Sequence, residues 1–232
     1  NKEMRKFNLI VLTALSTMLL LVSPTSVLAA EDTTPNLSNM PVINIMHEGT
    51  VDGVVIEEIN REQHISNMAQ LEGITYADAE EIVDFQESLT LENTFGKMSA
   101  ISPMASSEVI FRQASWNQTY PGNSSYSATL LGSFEVYVSS TSSFREIISI
   151  SVGSTRRSGL YSTSWLQANS WKTTQLPATQ VTLGVTGTFS TTVSNSTGLS
   201  GGIPGLSLSN STSTSKIYIS SPMTIQRTYS VY

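Results

Sequence analysis

The sequence reads as mainly β: a C-terminal antiparallel β-sandwich of about seven strands, preceded by a short acidic α-helical hairpin segment and a cleavable signal peptide. Three observations predict this. Past residue 108, apolar side chains recur at every second position between turn residues, while spacing of helical type is confined to about residues 60–89. Near the start, two basic residues precede an apolar run that is broken by Ser23-Pro24.

That apolar run extends from Phe7 to Val22, behind Arg5 and Lys6, and ends in the small residues Ala29 and Ala30. It is shorter than the roughly 20 residues a spanning helix needs, and small residues stand where a signal peptidase cuts. Residues 1–30 are therefore expected to be a signal peptide with Met4 as initiator. No cysteine occurs anywhere in the chain, which excludes a lipoprotein anchor, disulfides and thiolate catalysis. The mature chain is expected to be secreted and extracellular, its stability drawn from a packed core. Export without disulfides fits a Gram-positive bacterium.

An acidic segment follows over residues 31–96. Residues 31–100 carry fourteen carboxylates against Arg61 and Lys97, a net charge of −12, whereas residues 101–232 carry +4. Two readings follow: a solubilising segment, or one that docks on its own β domain through complementary charge. Pro35, Pro41, Gly49 and Gly53 suit an extended arm or a short strand pair. From Asn60 the pattern turns helical, with Ile65, Met68, Ala69 and Leu71, and Gly73 supplies a left-handed stop. Thr75 with Asp78 resembles a capping box, and Ala79, Ile82, Val83 and Phe85 form the next apolar stripe. The expected product is a helical hairpin over about 60–89. As a helix-turn-helix it would present Asp78, Glu80, Glu81, Asp84 and Glu87 to phosphates, so nucleic acid is excluded as a partner.

Residues 97–107, KMSAISPMASS, read as an exposed linker in which a protease would cut, leaving 108–232 as the all-β domain. Its expected strands centre on Val109–Phe111, Leu130–Val138, Ile148–Val152, Tyr161–Trp171, the two limbs of a hairpin over 181–219, and Met223–Val231. In the fourth of these, Tyr161, Trp165 and Trp171 share one phase.

The hairpin limbs differ. On the first, Val181, Leu183, Val185, Phe189 and Val193 alternate with Thr, Ser and Gly. The tip carries Leu199, Ile203 and Leu206, and the return limb passes through SNSTSTSK before apolar residues resume at Ile217 in the opposite phase. In texture this resembles the insertion hairpin of aerolysin-type pore-forming toxins, with no shared motif; the resemblance implies a membrane-active role with Leu199, Ile203 and Leu206 at the tip. As a membrane strand the return limb lacks the alternate apolar positions required. The soluble reading is a core strand, a Gly-rich turn and an edge strand whose phase change marks a bulge.

The inventory of reactive groups is short. Residues 101–232 contain no His, Asp or Cys, which excludes a Ser-His-Asp triad or His metal site built within that domain. His64 is expected on the helix surface, and Glu135 to face solvent because its phase opposes the apolar one. No catalytic residue, cofactor or metal is assigned. Aromatics on exposed loops bind sugar rings or proteins, and paired arginines hold anionic polymers. Trp116, Tyr120 and Tyr126, about an Asn/Pro/Gly-rich loop, and Arg156-Arg157 are accordingly the ligand-binding candidates. The expected function is non-enzymatic binding at the cell surface or outside it, with cell-wall polymer or a secreted protein as partner. The alternatives are a pore-forming or bacteriocin-like protein, and a structural surface or biofilm component.

Overall fold

In a computed structural model of the chain, residues 41–95, 107–140, 142–199 and 201–232 are described. The expected signal peptide, Met4, residues 31–40 and the linker up to residue 106 lie outside them. The described residues all fall in one compact unit, Ser38–Tyr232.

Alternation along 181–193 puts Val181, Leu183, Val185, Phe189 and Val193 inside, and their strand is the spine of the first sheet. This strand, β8 (Gln180–Ser194), pairs along one edge with β7 (Ser162–Lys172). Its other edge is shared by two antiparallel strands in succession: β11 (Met223–Ser230) along Gln180–Gly187, then β10 (Ser215–Ser220) along Ser190–Ser194. Outside these lie β9 (Leu206–Ser211) on β10 and β1 (Val42–Asn44) on β11. β1 runs parallel to β11, the exception in an otherwise antiparallel sheet, and covers that strand's open edge.

The second sheet is an antiparallel meander: β2 (Gly49–Val51), β3 (Val54–Ile59), β4 (Glu108–Thr119), β5 (Ser127–Val138) and β6 (Arg145–Ser158), in that order. The two sheets face one another across a single apolar core, in a β-sandwich-like arrangement. Phe134 meets Tyr229 edge-on at 5.2 Å, Tyr126 meets Phe189 at 5.4 Å, and a Cβ on Gly132 would strike Leu183, so this glycine sets how closely the sheets approach.

Two helices cover the outer face of the second sheet. α1 (Arg61–Glu72) starts at Asn60, whose side chain accepts from the Gln63 amide while Gln63 reaches back to the Asn60 amide, and ends at Gly73 with φ 68°. α2 (Tyr76–Phe95) starts behind Thr75, whose Oγ1 accepts from the Asp78 amide. Ile65, Met68, Ala79 and Val83 pack with Ile59 of β3 and Phe111 of β4 in a second, smaller core.

Several expectations are corrected. The described residues past 107 form eight strands, β4 to β11, against the expected seven or so. The additional one arises because the phase inversion before Ile217 is a tight turn between two strands, β9 and β10: Thr212 Oγ1 accepts from the Thr214 and Ser215 amides, a serine/threonine turn that the run of small hydroxyl residues makes easy. A bulge does exist between β9 and β10, at Ile217/Tyr218. Of the two readings of the stretch before Asn60, the short strand pair holds, as β2 with β3, and β1 ties the same stretch to the other sheet as well. On α2, Ile82 and Phe85 are exposed while Ala79 and Val83 are buried. Finally, a register shift at Gln167/Asn169 turns Trp165 and Trp171 to opposite faces: Trp165 stands opposite the core residue Phe189, and Trp171 opposite Gly184 on the outer face.

Candidate functional site

Where the helices meet the outer face of the second sheet, polar groups are trapped. Alternation on β5 sends Ser133 and Glu135 toward the helices, and α1 lays His64 over them. His64 Nδ1 and Ser133 Oγ are hydrogen-bonded at 2.9 Å, and the imidazole lies 4.9 Å from the Phe111 ring. Next to this pair Asn67 Nδ2 donates to Gln113 Oε1 at 2.6 Å. His64 and Glu135 are fully buried, which corrects the expected exposure of both. The cause is the helix pair itself: alternation places Glu135 off the inter-sheet core, but its other side is a second core and not water.

The electrostatics follow from burial. Loss of water, with some repulsion from Arg61, pulls His64 down to about 4, so it is neutral at pH 7. Loss of water, with the Glu87 carboxylate nearby and Arg61 opposing, pushes Glu135 up to about 8, so it is mostly protonated. His64 Nε2 and both Glu135 oxygens have no hydrogen-bond partner among the described residues. A Ser-His contact is the start of a nucleophilic site, but with Ser133 at 1% and His64 at 0% exposure no substrate atom reaches it. Among the described residues no group of three His, Cys, Asp or Glu side chains is placed to hold a metal ion.

Beside this buried cluster the helices and the sheet part to leave an open cleft of about 1040 Å³. One wall is helical: Met68 and Glu72 of α1, Ile74 of the turn, and Ile82, Gln86 and Leu89 of α2. Positions 82, 86 and 89 recur at helical spacing and so share a face. The facing wall is Tyr137, Phe144 and the β6 residues Glu146, Ile148, Ser149, Ile150 and Ser151, and Lys172, Leu176 and Pro177 close one end. Ile82, Leu89 and Phe144 are 42%, 38% and 45% exposed, so the cleft presents apolar surface to solvent from both walls. Partial burial raises the Glu146 carboxyl above its ordinary value, and it makes no ion pair or hydrogen bond among the described residues.

The ligand-binding candidates from the sequence lie elsewhere. Tyr126 is fully buried and Tyr120 nearly so; Tyr120 donates to the Gly205 carbonyl at 3.0 Å. Trp116 is half-buried between the sheets, with the Arg227 guanidinium 3.4 Å over its ring. These three aromatics belong to the core and not to an exposed loop, because the chain about them forms the paired ends of β4 and β5. Arg156 and Arg157 are exposed near the end of β6, where Arg156 pairs with Ala128 of β5. At the hairpin tip Ile203 and Leu206 are buried and Leu199 packs against the core, held where Asn123 Nδ2 donates to the Pro204 carbonyl at 2.9 Å.

Sequence reasoning missed the cleft. Its signal was α2: a stripe with more apolar residues than one buried face uses. Among the described residues no helix is long and apolar enough to cross a membrane. Compared with known protein families, curated proteins and solved structures, the chain matches none.

Proposed function

We propose that this is a secreted bacterial binding protein, without enzymatic activity, that takes its ligand in the cleft between α2 and β6. The observation that carries the reading is the exposed apolar face of Ile82 and Leu89 standing opposite Phe144 across an open cavity of about 1040 Å³, within reach of polar Glu146 and Lys172. The cleft sets apolar Ile82, Leu89 and Phe144 among polar Glu72, Glu146, Ser149 and Lys172, and a ligand site uses such a mixture to bind and to orient. Secretion is supported by the apolar leader behind Arg5 and Lys6. Non-enzymatic action is supported by the burial of the Ser133–His64 contact, the one Ser-His contact among the described residues. The burial of Ile203 and Leu206 gives the membrane-active alternative no support.

Hydrogen-exchange mass spectrometry of the chain, alone and with a soluble extract of exported proteins and wall polymers from the producing bacterium, tests the cleft. Protection confined to residues 74–89 and 144–151 is expected. No protection, or protection centred on Arg156 and Arg157, would overturn the assignment.

A further inference from the structure

Alternation along β8 sends Leu183 and Val185 into the core and Thr182, Gly184 and Thr186 to the outer face of the first sheet. Gly184 is paired on both sides, with Gln226 of β11 and Trp171 of β7. A glycine inside such a strand weakens it, and marks a place where another group comes close. Here that group is the indole of Trp171: a Cβ on Gly184 would strike its six-membered ring. The ring therefore lies on bare backbone in the middle of the sheet, and it stays partly exposed.

We propose that this outer face binds an uncharged glycan, with one sugar ring stacked on Trp171 and its hydroxyls hydrogen-bonded to the threonines on either side. Trp171 does not line the cleft, and the inference does not rest on it. Thr182 pairs with Thr228 of β11 and Thr186 with Thr224, and their Oγ1 atoms meet at 2.8 and 3.0 Å. Both pairs stand two residues from Gly184 along β8, about 7 Å to either side. A bond between two hydroxyls uses one of their two hydrogens, so each pair still has a donor and lone pairs to offer outward. Asn169, exposed and opposite Thr186, adds an amide. A sugar ring has the matching make-up, an apolar face of C–H groups for the indole and hydroxyls around its rim.

Charge selects the class of ligand. Among the described residues that pairing sets on this face, from β7 across β8 to β10 and β11, none is charged. The cations of these strands stand in the other phase: Lys172 and Arg227 opposite Leu183, and Lys216 opposite Val193. An anionic polymer or a basic peptide finds no countercharge here. A protein partner needs an apolar centre, whereas Trp171 and Leu166 pair with residues four apart on β8, about 13 Å, and stand singly among hydroxyls.

Isothermal titration of the full chain with cellohexaose, chitohexaose and maltohexaose, neutral glycans that differ in linkage and substituent, tests this. At least one is expected to bind. Trp171→Ala is expected to weaken that binding about tenfold, the size of one aromatic stacking contact, and Trp171→Phe to recover most of the loss. Thr186→Val with Thr224→Val keeps the shape of the face and removes two hydroxyls; a loss of about threefold to tenfold is expected. Failure of all three glycans to bind, or indifference of the bound glycan to either change, would overturn the inference. Binding that withstands Trp171→Ala and is lost in Phe144→Ala would put the sugar in the cleft and overturn this site alone. Stacking on side chains leaves the sheet amides bonded as before, so exchange protection, which reads the cleft, is a separate measurement.

Discussion

His64 on α1 and Ser133 on β5, 69 positions apart in sequence, are hydrogen-bonded at 2.9 Å with neither exposed to solvent. The contact shows how the helix pair is seated: on a patch that carries Glu135 and the Asn67–Gln113 pair as well as hydrocarbon. Buried polar groups are costly unless partnered, so this seat is where pH acts on the fold.

Glu135 sets the first expectation. Its value is 4.5 when unfolded and about 8 when folded. Between these the folded chain keeps a proton that the unfolded chain has released, so stability falls as pH rises through that window. His64 acts in the opposite sense: from 6.5 unfolded to about 4 folded, it makes stability fall as pH drops across that range. Glu135→Gln removes only the first effect. Relative to the wild type, its stability is expected to rise by about 1.4 kcal/mol per pH unit from pH 5 to 8. Urea unfolding across that range measures it, and a flat difference would mean that Glu135 is ionised in the folded chain.

The buried aromatics give a second. Tyr126→Ala empties a fully buried site against Phe189 and removes the partner to which Thr191 donates at 3.3 Å. A loss of about 3–5 kcal/mol is expected. Arg156→Ala with Arg157→Ala, both exposed, is expected to stay within about 0.5 kcal/mol of wild type. Comparable urea midpoints for the two variants would contradict the placement of Tyr126 in the core.

What the sequence made legible follows from which physics is local. Alternation along β8 is local, and it identified the inner face from Val181 to Val193 correctly. The stop at Gly73 and the cap at Thr75 with Asp78 are local too. His64 and Glu135 were misjudged because their burial depends on α1 lying over β5, a contact between distant segments. Trp171 was misjudged because one extra residue near Ala168 inverts the phase of β7, and nothing in QANS marks that bulge. The cleft needs two such non-local facts together, the position of α2 and that of β6.

Glycine provides a third expectation. Gly205 has φ +77°, and a Cβ there would run into the Gly122 carbonyl oxygen, a backbone atom that cannot swing aside. Gly205→Ala is expected to cost about 1–3 kcal/mol. Gly201→Ala, four residues earlier and open to solvent, is expected to cost less than about 0.5 kcal/mol. Equal unfolding midpoints would show that the turn over Tyr120 and Asn123 is not packed as described.

The last expectation concerns membranes. For the 181–219 hairpin to enter a bilayer, β8 would have to leave β7, β10 and β11 at once and take Leu183, Val185 and Phe189 out of the inter-sheet core. Its return limb would bring little apolar surface, since β9 presents Ser207, Ser209, Asn210 and Ser211 around the lone exposed Leu208. Opening the core costs the burial of several large side chains, each worth about 1.5–3 kcal/mol, against a lipid face of mostly hydroxyls. The folded chain is therefore expected to leave dye-loaded liposomes sealed at concentrations where its circular dichroism is native. Leakage from the folded chain that disappears on deleting residues 198–206 would reverse this, and would make the burial of Ile203 and Leu206 a latch and not a core contact.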